Sequence, residues 1–382
     1  MSTDVVTIVA GIPVIIWFIL LFGRGGFWRI KPHLTSRVAR LDKLRIAVVI
    51  PARDEAEVLD RTLTSLLAQS FEGDLRIFLV DDASTDGTSE TVRSTAERLQ
   101  KTDRITVITG RSLPKGWTGK VWALSQGIEQ ALLIKPDYIF LTDADIEHEP
   151  SIVGTLAAQA QAESLDLASF MVKLRTNTVP ERAFIPAFVF FFFMLYPPRW
   201  VASPKYKTAG AAGGAILIRS QALERAGGIQ AIRAEIIDDC ALARIVKRSG
   251  ARIWLGITEK ARSIRGYGGV REIDQMIART AFSQLGHSVF LLVVTIVGLL
   301  VTYIAPVVFA VFSKSFAAVL GTIAWFMMSL AFLPMVRFYR QNPLWAAALP
   351  GIAAFYSFAT VHSALKYWSG RGGEWKGRVQ DA

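Results

Sequence analysis

Short apolar runs alternate with amphipathic ones through the middle of the chain, while unbroken apolar runs occupy its two ends. Arg45-Ile-Ala-Val-Val-Ile50 reads as a buried strand stopped by Pro51. From about Ala56 to Gln69, the residues Val58, Leu59, Leu63, Leu66 and Leu67 recur at helical spacing. Arg76 to Val80 predicts a second strand, Ile105 to Ile108 a third and Tyr138 to Leu141 a fourth. Helices fall between them, one with Thr85 or Asp86 as N-cap and one over Gly119 to Leu133. Such alternation predicts an α/β fold, a doubly wound parallel sheet with helices on both faces. Beyond it, Leu167 to Lys173 and Ala215 to Arg219 read as strands, and Arg252 to Gly256 closes the region. Ser220 to Ala226 and the run opened by Ile236-Ile237-Asp238-Asp239 read as helices.

Val5 to Phe22, Val289 to Phe312, Phe316 to Leu333 and Leu344 to Leu365 are each about long enough to cross a ~30 Å hydrocarbon core as a helix. The first has no positive n-region and no small-x-small cleavage site, so it reads as a retained anchor. Ala183 to Tyr196 is apolar all round but short. With Pro186 near its start and Pro197-Pro198 at its end it fits a helix in the membrane interface, a buried core helix being the other reading. The expected layout is an N-terminal transmembrane anchor over 1–30 and a main domain over 44–265 that includes an interfacial helix at 183–200. An amphipathic linker at 266–288, a C-terminal transmembrane hairpin plus third hydrophobic segment at 289–366 and a basic tail at 367–382 complete it.

Charge sharpens this picture. The formal net charge is +11, with Arg24, Arg29 and Lys31 clustered after the first apolar run. Positive-inside bias puts the main domain in the cytoplasm, and membrane proximity accounts for the charge without nucleic acid. If four segments crossed, both termini would lie outside, yet the tail carries Lys366, Arg371, Lys376 and Arg378. One segment should therefore fail to cross, and Leu344 to Leu365 is chosen because Pro350-Gly351 breaks it. That leaves three spans, an external N-terminus and a cytoplasmic tail. The single Cys240 excludes an intrachain disulfide, and with four histidines there is no case for a zinc site.

Acids collect at the predicted C-terminal strand ends: Asp54 and Glu55, Asp81 and Asp82, Asp143 and Asp145. In open α/β sheets that rim is where ligands bind. Alternation along extended backbone sends Asp143 and Asp145 to one side. As hard oxygen donors they suit Mg²⁺ or Mn²⁺ bridged to phosphates, unless they merely cap the helix near Ser151. The small residues Ala209 to Gly214 let backbone approach a ligand. Residues adjacent on a helix lie about 100° apart, so only one of Asp238 and Asp239 should face a cleft. His148 reads as a polar loop residue or an extra metal ligand, Trp117 as a sugar platform or interface anchor, and Cys240 as a small core residue.

Pro51-Ala-Arg-Asp-Glu55, Val80-Asp-Asp-Ala-Ser-Thr-Asp-Gly87, Gly119-Lys120, Ala123-Leu124, Gly127, Asp143-Ala-Asp145, Gly213-Gly214 and Asp238-Asp239-Cys-Ala-Leu242 occur in that order. The set resembles the inverting family 2 glycosyltransferases over roughly residues 46 to 260. Leu21-Phe-Gly-Arg-Gly-Gly-Phe-Trp28, Gly116-Trp-Thr-Gly-Lys120, the Phe-rich stretch before Pro197 and Gly372-Gly-Glu-Trp-Lys-Gly-Arg378 narrow this. The chain looks like the hopanoid-biosynthesis-associated membrane glycosyltransferases.

The resemblance implies a single nucleotide-sugar-binding GT-A-like domain in the inner (plasma) membrane, facing the cytoplasm. It implies transfer of a hexose from a nucleotide-sugar donor, expected to be a UDP-sugar, to a polyprenyl or hopanoid-type lipid acceptor. Asp81 matches the acid that reads the base, and Pro51, Arg53, Glu55 and Asp143 line the nucleotide pocket with Lys120. Asp143 and Asp145 match the ligands of a divalent metal, Mg²⁺ or Mn²⁺. Gly213, Gly214 and Asp238 fall at the sugar and acceptor, Asp239 matches the catalytic base, and Arg279 is a phosphate candidate. Gln275-Met-Ile-Ala-Arg279-Thr280 departs from the Gln-x-x-Arg-Trp signature of processive members. Processive polysaccharide synthesis and a non-catalytic scaffold are the alternatives.

Overall fold

The computed structural model describes residues 3–30, 41–314, 316–373 and 376. Residues 31–40 and most of the Gly372–Arg378 motif lie outside them. The chain forms two units, one of residues 1–30, 176–199 and 267–372, the other of residues 31–175, 200–266 and 373–382.

The second unit is built on strands β1 Arg45–Ala52, β2 Asp74–Asp81, β3 Ile105–Thr109, β4 Tyr138–Leu141, β5 Ile146–His148, β6 Leu167–Lys173, β7 Ile216–Arg219 and β8 Ile253–Ser263. They form one sheet in the order β3-β2-β1-β4-β7-β6-β8-β5. β1 to β4 are parallel, as the βαβ alternation predicts. The other half is mixed, which the expectation of an all-parallel sheet misses: β7 is antiparallel to both β4 and β6, and β5 to β8. The reason is the connection. The chain leaves β6 at Lys173, passes through the helix Val179–Leu195 of the other unit and re-enters β7 from the opposite direction.

Both faces of the parallel half are covered. Ile46, Val48, Ile50, Ile77 and Phe140 pack with Leu59 and Leu63 of the helix Ala56–Leu67. On the other side the helix Gly119–Leu132 lies so close to β1 and β2 that a Cβ on Gly127 would sit 2.5 Å from Val49 Cγ1. Every residue of β4 is buried, which holds the backbone leading into Asp143 rigid.

The first unit is helical. Among the described residues, five helices are long and apolar enough to cross a membrane: Asp4–Gly23, Val179–Ala202, Val289–Phe312, Phe316–Phe338 and Pro343–Trp368. Ile8, Phe22, Phe290, Phe312 and Phe326 point outward, a surface suited to lipid and not to water. Pro350 and Gly351 fall in the first turn of the helix Leu349–Trp368. Proline is tolerated there because its missing N–H has no helical partner to lose, so the expected mid-segment break does not occur.

Candidate active site

The acid-bearing loops are stitched to one another. After β1, the Asp54 and Glu55 amides donate to Ser84 Oγ at 3.0 Å and Thr88 Oγ1 at 2.9 Å. In return the Thr85 amide donates to Asp54 Oδ1, and Asp86 Oδ2 accepts from the Ala56 amide, both at 2.9 Å. Asp86, expected at most as a helix cap, thus locks two strand-end loops together. Asp81 closes its own turn: Oδ1 accepts from the Ser84 amide at 2.9 Å and Oδ2 from Ser89 Oγ. Arg53 donates to the Asp82 carbonyl at 2.5 Å and lies 3.7 Å from its carboxylate.

Beyond the C-terminal end of β4 lies an open cleft lined by Pro51, Lys120, Asp143, Gly213, Asp238 and Asp239, with Leu124, Ile216, Ile229 and Leu242 as apolar walls. Lys120 is its hub. Its Nζ lies 2.9 Å from Asp143 Oδ1 and 3.3 Å from Asp238 Oδ2. Burial by itself would lower the lysine pKa, but Asp143, Asp238 and Asp239 more than reverse that and raise it, so the ammonium is permanent. A Cβ on Gly213 would meet Lys120 Nζ at 3.3 Å and Asp143 Oδ2 at 3.4 Å, so a side chain there would press on both. Gly214 beside it packs against Val172.

Asp238 and Asp239 both line this cleft, contrary to the expectation that only one faces it. They open the helix Asp238–Arg248, and a helix that presents its end offers its whole first turn. Their roles differ. Asp238 pairs with Lys120, whereas Asp239 accepts from the Gly213 amide at 3.0 Å and the Cys240 amide at 2.7 Å. Burial, reinforced by Asp238 and opposed by Lys120, raises the Asp239 pKa to about 6.

Asp143 and Asp145 are not presented by strand alternation, because β4 stops at Leu141 and a turn carries Asp145. Asp145 Oδ2 accepts from Ser263 Oγ at 2.9 Å and lies 3.7 Å from Arg265. Burial, then the charge of Asp143, raises its pKa, an electrostatic deficit that a bound cation would relieve. Neither acid caps the following helix, since β5 intervenes and Ser151 makes no side-chain cap. Among the described residues no three His, Cys, Asp or Glu side chains gather into a metal site. Two carboxylates with water and phosphate oxygens completing the shell nonetheless fit a small hard cation.

His148 is neither a loop residue nor a candidate ligand. It lies buried in β5, where burial lowers its pKa to about 3. Its Nε2 is 3.0 Å from Thr142 Oγ1, which donates to the Gly214 carbonyl at 2.8 Å, so the neutral ring props the turn behind Asp143. Cys240 is buried as expected, and Trp117 stands edge-on to Trp122. Arg279 follows the helix Val270–Ala278 in the helical unit and is exposed. Ser263, Arg265 and Lys376 were not foreseen. The polar and glycine-rich run Ser263-Ile-Arg-Gly-Tyr-Gly-Gly269 at the end of β8 was the signal for the first two.

The mixed sheet with acids at its C-terminal rim is a GT-A-like α/β domain. Residues 47–227 match the family model of Glycosyl transferase family 2. An uncharacterized protein of Methanocaldococcus jannaschii is 32% identical over 35% of this chain and 49% of its own length. The undecaprenyl-phosphate 4-deoxy-4-formamido-L-arabinose transferase of Pseudomonas fluorescens is 29% identical over 30% of this chain and 32% of its own. The chain thus spans about half or less of these curated relatives. The mannosyltransferase PcManGT from Pyrobaculum calidifontis, solved with GDP-Man and Mn²⁺, shares the fold with a TM-score of 0.59 at 16% identity. The match covers 94% of this chain and 99% of that one.

Proposed function

We propose that the chain is a membrane glycosyltransferase that moves a hexose from a nucleotide sugar, a UDP-sugar in the first instance, to a lipid acceptor with inversion. The observation that carries this reading is the convergence of Lys120, Asp143, Asp238, Asp239 and the Gly213 backbone on one cleft at the sheet's C-terminal rim. Asp239 is the base. Backbone donors fix its carboxylate, and a pKa near neutrality suits it to take the acceptor's proton, an effect worth ~10²–10⁴-fold. The acceptor oxygen bonds to the anomeric carbon as the bond to the diphosphate breaks, so one carboxylate suffices. Lys120 faces the charge that develops on the leaving group. Asp143 and Asp145 would hold Mg²⁺ or Mn²⁺, which when bound supplies further charge stabilisation to the diphosphate.

The acceptor is placed among polyprenyl or hopanoid-type lipids. The apolar helices, the partial similarity to an undecaprenyl-phosphate sugar transferase and the resemblance to hopanoid-associated enzymes support this choice. Arg24 and Arg29 after the first helix favour the inner membrane with the catalytic unit in the cytoplasm. The test is turnover of a panel of nucleotide sugars by the full chain in membranes, with lipid products analysed beside Asp239→Asn. Transfer of sugar to extractable lipid that disappears in the variant is expected. Donor breakdown that the variant retains would overturn the assignment.

A further inference from the structure

The segment at Gly373 belongs to the same unit as the sheet, although its chain neighbours up to Gly372 belong to the helical one. What ties it there is Lys376. Its Nζ lies 2.9 Å from Glu55 Oε1 and donates to the Asp54 carbonyl at 3.0 Å. Arg53 Nε donates back to the Lys376 carbonyl at 3.3 Å. Glu55 is mostly buried and carries a second cation, Arg265, whose Nε lies 3.7 Å from Asp145. Two cations share one carboxylate, and the next acid along is the one assigned to the diphosphate end of the site.

We propose that Lys376 is a donor-site residue, a positioning group that, with Arg265, receives the diphosphate of the nucleotide sugar at the rim between Glu55 and Asp145. Geometry and charge both argue for it. Removing one partner from a buried ion pair normally strands a charge. Glu55 escapes that cost because either cation can leave while the other stays. An incoming diphosphate beside Asp145 would meet two cations already held at the rim by Glu55, Lys376 half-buried and Arg265 reaching toward Asp145, a receptor aimed before the ligand arrives. The hydrogen bond from Arg53 to the Lys376 carbonyl holds that backbone in place while the ammonium moves. Lys376 thus reaches the nucleotide pocket from a position more than three hundred residues along the chain from Arg53.

This inference rests on the nucleotide-sugar reading, and the experiment separates the two. Binding of UDP and GDP, each with Mn²⁺, is measured on the full chain in detergent beside uridine and guanosine, for wild type, Lys376→Ala and Lys376→Arg. Loss of a charge-assisted contact predicts about tenfold or greater weakening of the diphosphate in Lys376→Ala, with nucleoside binding unchanged and most affinity restored in Lys376→Arg. In the wild type, the bound diphosphate, but not the nucleoside, should slow acylation of Lys376 by an amine reagent, read by peptide mass spectrometry. That protection does not depend on how a variant folds. Wild type that binds neither diphosphate sinks both readings. Wild-type binding with unchanged affinity in Lys376→Ala and no protection sinks only the role of Lys376, as does tighter binding in the variant, which would mark the segment as a competitor for the site.

Discussion

Two neighbouring acids in one cleft are told apart by what holds them. Asp238 neutralises Lys120, while Asp239 is pinned by two amides and has its pKa raised to about 6. A base works only when unprotonated, so the sign is fixed: kcat/KM should climb with pH through about 6 and level off above it. Asp239→Asn should keep nucleotide binding and lose transfer by about 10²-fold or more. A rate flat between pH 5 and 8, or an Asn variant crippled in donor affinity alone, would move the base elsewhere. Asp145 fails differently. Asp145→Ala removes a carboxylate whose raised pKa a bound cation would relieve, so metal-dependent turnover should vanish, and full activity in EDTA would refute the metal assignment. The sequence pointed to these acids because the short buried strands before them are unmistakable, but it suggested the wrong reason for Asp143 and Asp145. Strand alternation does not place them; a turn does, braced through Thr142 by a histidine that reads as loop.

Elements carry the site into position, and their packing can be tested where two effects oppose. Gly127 lies inside the helix Gly119–Leu132, where alanine is favoured over glycine by about 1 kcal/mol. A Cβ there would stand 2.5 Å from Val49 Cγ1 and 3.0 Å from Val80 Cγ2, stiff β-branched neighbours on β1 and β2. Overpacking of that kind costs about 1–3 kcal/mol, so the clash should win. Gly127→Ala is expected to lower the Tm of the full chain, and a higher Tm would show that the sheet yields. At this scale the parallel half was legible to within a residue or two, since buried strands read as continuous apolar runs. β5 was not, because three residues with a histidine carry no periodic signal. Nor was the far end of β8, whose Glu259-Lys-Ala-Arg-Ser263 is polar and is held by pairing with β5. The antiparallel entry of β7 was hidden for another reason. Direction depends on where the chain has been between strands, and the excursion through another unit leaves no mark in β7 itself.

For the whole molecule, strand pairing limits how often the chain crosses a bilayer. β6 and β7 are hydrogen-bonded neighbours, and the apolar helix Val179–Leu195 lies between them in sequence. A single crossing there would put adjacent strands on opposite sides of the membrane, so this helix is not expected to cross alone. The same reasoning applies from Gly266 to Gly373, which belong to one unit and flank three candidate spans. The number of crossings between them must be even. Val289–Phe312 and Phe316–Phe338 have the higher mean hydropathies, 2.6 and 2.0, and a turn too short to do anything but make a hairpin. Pro343–Trp368, at 1.5, is the segment left over, and its His362 is 2.7 Å from Asp274, an uneconomical pair at the centre of a bilayer. The expectation is therefore that Gly373 shares the face of the sheet-bearing unit and Lys314 lies opposite. Single cysteines at Gly373, Glu90 and Lys314, in a Cys240→Ala background, would be exposed to a membrane-impermeant thiol reagent in intact cells. Lys314→Cys should label at once, while Gly373→Cys and Glu90→Cys should label only after permeabilisation. Labelling of Gly373→Cys with Glu90→Cys still protected would mean an odd number of crossings, and the contact between Lys376 and Glu55 could not then form in the cell.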